Sequence, residues 1–194
     1  AASALGVPAT SFITILASCG LAVGMALQGS LSNLAGGIMI LVFKPFTMGD
    51  YISSGGNEGT VTDIHILYTK LTTPDNKVIT IPNGTLSNSA VVDVTANDTR
   101  RVDVNIGVSY DSNIKETLDI LKAIGDSCSV KLEDKETIVA ITGYGDSSID
   151  VTLRIWAKTE NYWTALFEMN EAVKAEIDGK KLDIPYPQMD VHIK

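Results

Sequence analysis

The first 43 residues, Ala1 to Phe43, carry no charged side chain, and every Asp, Glu, Lys and Arg lies from Lys44 onward. About 20 apolar residues suffice for a helix to cross about 30 Å of hydrocarbon. Phe12 to Phe43 alone is 32 residues, a helix of about 48 Å at 1.5 Å per residue. That length predicts a strong tilt or a bend. Gly29 and the Gly36-Gly37 pair are the natural bending points, because glycine weakens a helix and permits close approach. Gln28, Ser30, Ser32 and Asn33 gather around the first of them. We read a half that crosses a bilayer, about Ala9 to Gln28, and a more interfacial half, about Ser30 to Phe43. Pro45 cannot donate the next backbone bond and ends the helix.

The remaining residues are acidic. The whole chain has 194 residues and a formal net charge of −8, so a charge-free membrane segment is joined to a water-soluble acidic part large enough for one or two small domains. The acidity argues against nucleic acid as a partner, since phosphates need basic groups to neutralise them. Cys19 and Cys128 are far apart and form no CxxC motif or disulfide framework, which suits two unpaired thiols in a reducing compartment. There is no initiator Met or basic n-region, and the apolar run is too long for a signal-peptide core. We therefore expect further chain upstream of Ala1.

The crossing half has distinct helical faces. Ala17, Gly20 and Gly24 recur at spacings of three and four, and Ser18, Ala22 and Ala26 form a second small-residue row. Small faces let helix backbones pack closely in lipid. Two of them suggest a neighbour on each side, as in a ring of identical helices. Between them runs Thr14, Ser18, Leu21, Met25 and Gln28, polar at its ends and apolar in the middle. In a ring that row points inward, and rings of Leu21 and Met25 make a constriction that expels water. A single-pass anchor or a buried core helix remains open on the small-residue pattern alone.

Asp50 to Thr95 reads as short strands (Asp50–Ser53, Thr60–Ile66, Tyr68–Thr73, Val78–Ile81) separated by Gly55-Gly56-Asn57 and Pro74-Asp75-Asn76 turns. That pattern suggests a small barrel or sandwich. Beyond Arg100-Arg101 the rhythm changes. Val102, Val104, Ile106 and Val108 alternate as a strand, and Asp111-Ser112-Asn113 offers N-caps for a helix with Ile114, Leu118 and Leu121. Strands follow near Thr137–Ile141 and from Ile149 to Ile155. A second helix carries Tyr162, Leu166, Met169 and Val173 and ends near Gly179, and a final strand alternates through Met189, Val191 and Ile193. The order β-α-β-β-α-β predicts an α+β, ferredoxin-like layer.

Signatures of catalysis are missing from the sequence. His65 and His192 are the only histidines, and neither has metal-ligand spacing. No phosphate loop occurs, and carboxylates such as Glu133, Asp134 and Asp146 read as solvated faces. No metal, cofactor or enzymatic activity is expected.

Gly20 to Gly37 (GLAVGMALQGSLSNLAGG), Phe43 to Ile52 (FKPFTMGDYI), Ile81 to Gly84 (IPNG) and Pro185 to Val191 (PYPQMDV) resemble, in order and at suitable distances, the small-conductance mechanosensitive channel (MscS) family. The resemblance covers essentially the whole chain. It implies a homoheptameric, tension-opened ion channel of the bacterial cytoplasmic (inner) membrane. Such a channel has further membrane helices upstream, and its residues 44–194 are cytoplasmic. Its contacts are membrane lipids and small permeating ions. By position, Leu21 and Met25 would be the constriction rings, where the family usually has leucine at both, and Gly29 and Gly37 the hinges. Ala17 stands where glycine is more usual, and Ser18 where alanine is. The implied organisation is a kinked pore-lining helix over residues 1–43, an Sm-like β domain over 44–96 and an α/β vestibule domain over 97–194; members of the family commonly end in a short strand of a small barrel. The rival reading is a membrane-anchored Sm-like ring that acts as a scaffold or binds RNA.

Overall fold

The computed structural model describes residues 9–189 and 191–192. The chain divides into two compact units, one ending at Ala96 and the next beginning at Asn97.

The first unit opens with helix α1, Ala9–Phe43, unbroken through Gly29, Gly36 and Gly37. Its end is set one residue before the proline. Lys44 adopts φ +47° and donates its N–H to the Ile40 carbonyl at 2.9 Å. That is a left-handed cap closing the last turn, made here by a residue with a Cβ at a cost of about 1 kcal/mol. Pro45 then prevents the helix from resuming.

Five antiparallel strands follow, β1 (Tyr51–Ser54), β2 (Asn57–Ile64), β3 (Tyr68–Thr72), β4 (Val78–Pro82) and β5 (Val92–Asp93), in the order β4-β3-β2-β1-β5. Their turns follow local chemistry. Gly55 and Gly56, at φ +57° and +80°, make the two-residue turn that matches strand twist. Thr73 pairs with Lys77 across Pro74-Asp75-Asn76, and Asn76 takes the left-handed position at φ +64°. A short helix α2, Asn83–Ser87, stands between β4 and β5. Ile52, Val61, Leu71, Ile81 and Leu86 form the core, joined by Ile40 of α1 and by Phe46.

The second unit pairs β6 (Thr99–Val108) with β8 (Ile149–Lys158) along their full length, from Thr99 opposite Lys158 to Val108 opposite Ile149. β7 (Ile138–Tyr144) lies on the other side of β8, giving the order β6-β8-β7. Helices α3 (Ile114–Ser127) and α4 (Tyr162–Asp178) supply Leu121, Ile124, Ala165, Met169 and Val173 to the core built on Val102, Val104, Val151, Leu153 and Ile155. Asn113 caps α3, its side chain accepting from the Glu116 N–H.

Two features go beyond or against the sequence reading. First, α2 and β5 lie where the sequence carries no periodicity that marks an element. Second, the final strand through Met189 and Val191 does not form among the described residues, and Ile193 lies outside them. Pro185 and Pro187 lack the N–H a ladder needs. The segment also crosses the end of the sheet rather than running along β6. The Ser109 N–H donates to the Asp183 carbonyl at 2.9 Å, and the Gln188 N–H to Ser147 Oγ at 3.1 Å.

One carboxylate staples the α3 end to α4. Glu168 accepts from Ser129 Oγ at 2.6 Å and from the Ser129 N–H at 2.8 Å. These bonds, hydroxyl first, hold its pKa below the usual carboxylate range. The depressed pKa stabilises the fold above the unfolded-state pKa of about 4.3 and ceases to do so as pH falls through the folded value. The denaturant midpoint of the purified protein is expected to fall between about pH 5 and pH 3, and Glu168→Gln to flatten that part of the profile. An unchanged slope in the variant would assign the loss to other groups.

Candidate functional site: the long helix and its seat

From residue 10 to residue 32 every side chain of α1 is exposed. This helix, Thr10–Phe43, is the one helix among the described residues long and apolar enough to cross a membrane. Each residue turns the helix by about 100°. Thr14, Ser18, Leu21, Met25 and Gln28 therefore share an arc of about 80°. Leu21 and Met25 at its centre are 66% and 64% exposed. Thr14 Oγ1 donates back to the Thr10 carbonyl at 2.8 Å, so its hydroxyl is satisfied within the helix. Ala17, Gly20 and Gly24 flank the arc on one side and Ala22 and Ala26 on the other. The bulky residues Phe12, Leu16, Val23 and Leu27 collect on the opposite face. The helix thus has one candidate pore row, two close-packing flanks and one bulky back. Gly20, Gly24 and Gly29 have no neighbouring atom within 4 Å of where a Cβ would be.

The C-terminal part of α1 behaves differently. Burial recurs at Asn33, Gly36-Gly37 and Ile40, a stripe of helical period that faces the β strands. A Cβ at Gly37 would overlap the Ile66 carbonyl oxygen, and one at Gly36 would lie 2.5 Å from the Asn83 carbonyl oxygen. Asn33 Oδ1 accepts the Gly84 N–H at 2.9 Å. Asn83 makes the platform beneath. It has no exposed surface, its Nδ2 donates to the His65 carbonyl at 2.7 Å, and its Oδ1 accepts from Thr69 Oγ1 at 2.8 Å. The backbone N–H of Asn83 donates to the Leu67 carbonyl at 3.0 Å. One amide therefore ties the β2–β3 turn to the start of α2, and the helix lies across both.

Sequence reasoning singled out Gly37 as a hinge; the structure shows a close approach to the Ile66 carbonyl there, and the roles of Asn33 and Asn83 had no sequence signal. The available signal for the close approach was a small-residue pair in register with Ile40. Elsewhere, Cys128 is buried with its thiol pKa pushed up, chiefly by burial, so it is a poor nucleophile. The His65 and Tyr68 rings meet at a tilt of 43° with centroids 4.6 Å apart. Among the described residues no group of three or more His, Cys, Asp or Glu is placed to hold a metal ion.

Residues 29–96 match the family model described as the mechanosensitive ion channel beta-domain, and residues 102–184 the one described as mechanosensitive ion channel MscS, C-terminal. A small-conductance mechanosensitive channel of Helicobacter pylori is 34% identical over 195 residues, covering the whole of this chain and 71% of that protein. The chain belongs to the MscS family of mechanosensitive ion channels. The crystal structure of Helicobacter pylori MscS in its closed state superposes with a TM-score of 0.91 at 34% identity, over 99% of this chain and 76% of the other. The small-conductance mechanosensitive channel of Edwardsiella ictaluri is 38% identical over 91% of this chain and 62% of that protein. An uncharacterised MscS family protein of Buchnera aphidicola is 36% identical over 98% and 68%. The chain is accordingly a mechanosensitive channel subunit, a membrane protein that works as a homo-oligomer, in a family of channels rather than enzymes.

The two glycine environments separate by substitution. Gly29→Ala is accommodated in open space, whereas Gly37→Ala drives a methyl into backbone. Thermal unfolding of the purified protein is expected to show a clear loss for Gly37→Ala, on the order of 1–3 kcal/mol as overpacking costs, and little for Gly29→Ala. Equal losses would mean that α1 does not rest on Ile66 as described.

Proposed function

We propose that Leu21 and Met25 form the closed constriction of this mechanosensitive channel, in a homoheptamer of the bacterial inner membrane with residues 44–194 in the cytoplasm. The observation that carries the reading is the division of α1 into faces. An apolar pair faces one way with small residues on both flanks, which lets identical helices pack side by side around a common axis. In so narrow a ring, apolar side chains expel water, and an ion cannot cross without its hydration shell. Met25 replaces a leucine ring with a more flexible side chain of similar size. Thr14, Ser18 and Gln28 line the wider, wetter ends.

Tension favours whichever state occupies more membrane area. Gly29 and Gly37 bound the segment whose angle to the crossing helix changes on opening. Gly29 is unencumbered within the subunit, and Gly37 rests on the Ile66 carbonyl, so bending at Gly37 must carry or release that contact. Widening separates the Leu21 and Met25 rings, the constriction wets, and small ions and solutes leave on osmotic downshock.

Leu21→Ser tests this reading. Each exchange removes an apolar side chain whose burial is worth about 1.5–3 kcal/mol and puts a hydroxyl at the constriction. Patch recordings of the full-length channel in liposomes under graded suction are expected to show opening at lower tension or leakage at rest. An unchanged threshold would remove Leu21 from the gate.

A further inference from the structure

Asn83-Gly84 is the one Asn-Gly pair in the chain. Asn followed by Gly is the pair most prone to lose its side-chain amide spontaneously. Glycine leaves its own nitrogen unhindered and its backbone free to turn toward the Asn side chain. The fold nevertheless needs both residues where they stand. Asn83 holds the His65 carbonyl and the Thr69 hydroxyl from a position with no exposed surface. A Cβ on Gly84 would lie 2.8 Å from both Asn33 Oδ1 and Ser32 Oγ. The most labile pair is therefore set at the contact between α1 and α2.

The same contact keeps the pair intact. In the reaction the Gly84 nitrogen attacks Asn83 Cγ. The new N–Cγ bond forms, the Cγ–Nδ2 bond breaks, and ammonia leaves with the Gly84 amide proton. Water then opens the five-membered succinimide to aspartate or isoaspartate. Three features oppose these steps. The Gly84 N–H is held by Asn33 Oδ1 at 2.9 Å. Pro82, at the N-cap of α2, makes no side-chain cap, so α1 supplies the bond that a capping side chain usually makes. Both polar atoms of the Asn83 side chain are bonded, which fixes the direction of Cγ. Asn83 and Gly84 are buried, which keeps water from the pair. The first and the last of these come from α1, through Ser32, Asn33 and Gly36.

We propose that Asn83-Gly84 is a deamidation site of this channel, protected while α1 rests on α2 and reactive when α1 lifts. The reaction then makes the lifting permanent. A carboxylate in place of the Asn83 amide turns an oxygen, not an N–H, toward the His65 carbonyl, and a buried charge without that donor is costly. Isoaspartate also lengthens the backbone at the start of α2. The modified chain loses the platform beneath Gly36 and Gly37, so modification accumulates with the time that α1 spends unseated. The site depends on the seat of α1 and is independent of where the gate lies.

The test is incubation of the purified full-length channel at neutral pH, with conversion of Asn83 read by peptide mass spectrometry. The folded channel is expected to convert at least about tenfold more slowly than the same chain in urea, because only locally opened molecules react. Asn33→Ala removes the acceptor of the Gly84 N–H, and Gly37→Ala pushes α1 off the Ile66 carbonyl. Asn33→Ala is expected to raise the folded-state rate about three- to tenfold, the gain in open fraction when one hydrogen bond is lost. Gly37→Ala is expected to raise it at least as much. Hydrogen exchange of the same samples locates the opening. Amides of residues 83–88 are expected to exchange faster in both variants, and those of β1 at the wild-type rate. Conversion of the folded wild type at the urea rate, or unchanged conversion in both variants, overturns the inference. So does faster exchange in β1, which assigns the reaction to general unfolding. Asn83→Asp tests the consequence and is expected to speed exchange over residues 83–88. Wild-type exchange there would mean that the seat survives the modification, and that also overturns the inference.

Discussion

Asn83 exposes no surface, and its side-chain amide is bonded on both sides, its nitrogen donating to the His65 carbonyl and its oxygen accepting from the Thr69 hydroxyl. A buried amide is tolerated only when satisfied in this way. Because it is, the β2–β3 turn and the start of α2 present one rigid surface. Gly36 and Gly37 settle on that surface with no room for a side chain. The part of α1 from Asn33 onward thereby belongs mechanically to the β strands. Whatever moves it must also move them or break this seat.

Nothing comparable holds the other part of α1. Residues 10–32 are exposed in the single chain, and so much apolar surface is stable only in lipid or against other helices. The segregation of its faces says how those surroundings differ. Small residues occupy the flanks, bulky ones the back, and Leu21 with Met25 the remaining arc. The gate proposed for Leu21 and Met25 needs no charged or catalytic group. It needs only apolar side chains brought close enough to exclude water, and then drawn apart.

The second unit solves a different problem with simple means. Alternation along β6 and β8 sends Val102, Val104, Val151 and Leu153 to the helices. Arg101, Asp103 and Arg154 go to the other face, where Arg101 and Asp103 pair at 2.7 Å. Thr152, buried on that polar side, donates to Asn105 Oδ1 at 2.7 Å. The sheet of this unit thus has one apolar face covered by helices and one polar face that carries charged and hydroxyl side chains.

Much of this was legible from the residues. Period-two alternation at Val102–Val108 and Ile149–Ile155 marks strands because a sheet has two faces. Gly-Gly-Asn and Pro-Asp-Asn mark turns because left-handed backbone favours Gly and Asn. A charge-free run of more than 30 residues marks a membrane helix because hydrocarbon excludes charge, and spacing of three and four within it marks the faces of α1. The roles of Asn33, Gly37 and Asn83 were not legible, since each depends on a partner distant in the chain: Gly84, Ile66, and His65 with Thr69. Nor was the fate of the final segment, whose alternation through Met189 and Val191 looks like a strand. A strand exists only where an edge accepts it, and here Pro185, Pro187 and the bonds to Asp183 and Gln188 carry the chain elsewhere. Sequence by itself determined what is periodic and local, because side-chain direction in a helix or strand follows from spacing alone. Tertiary structure decided the close approaches and the buried hydrogen bonds, because those are properties of pairs that no spacing along the chain encodes.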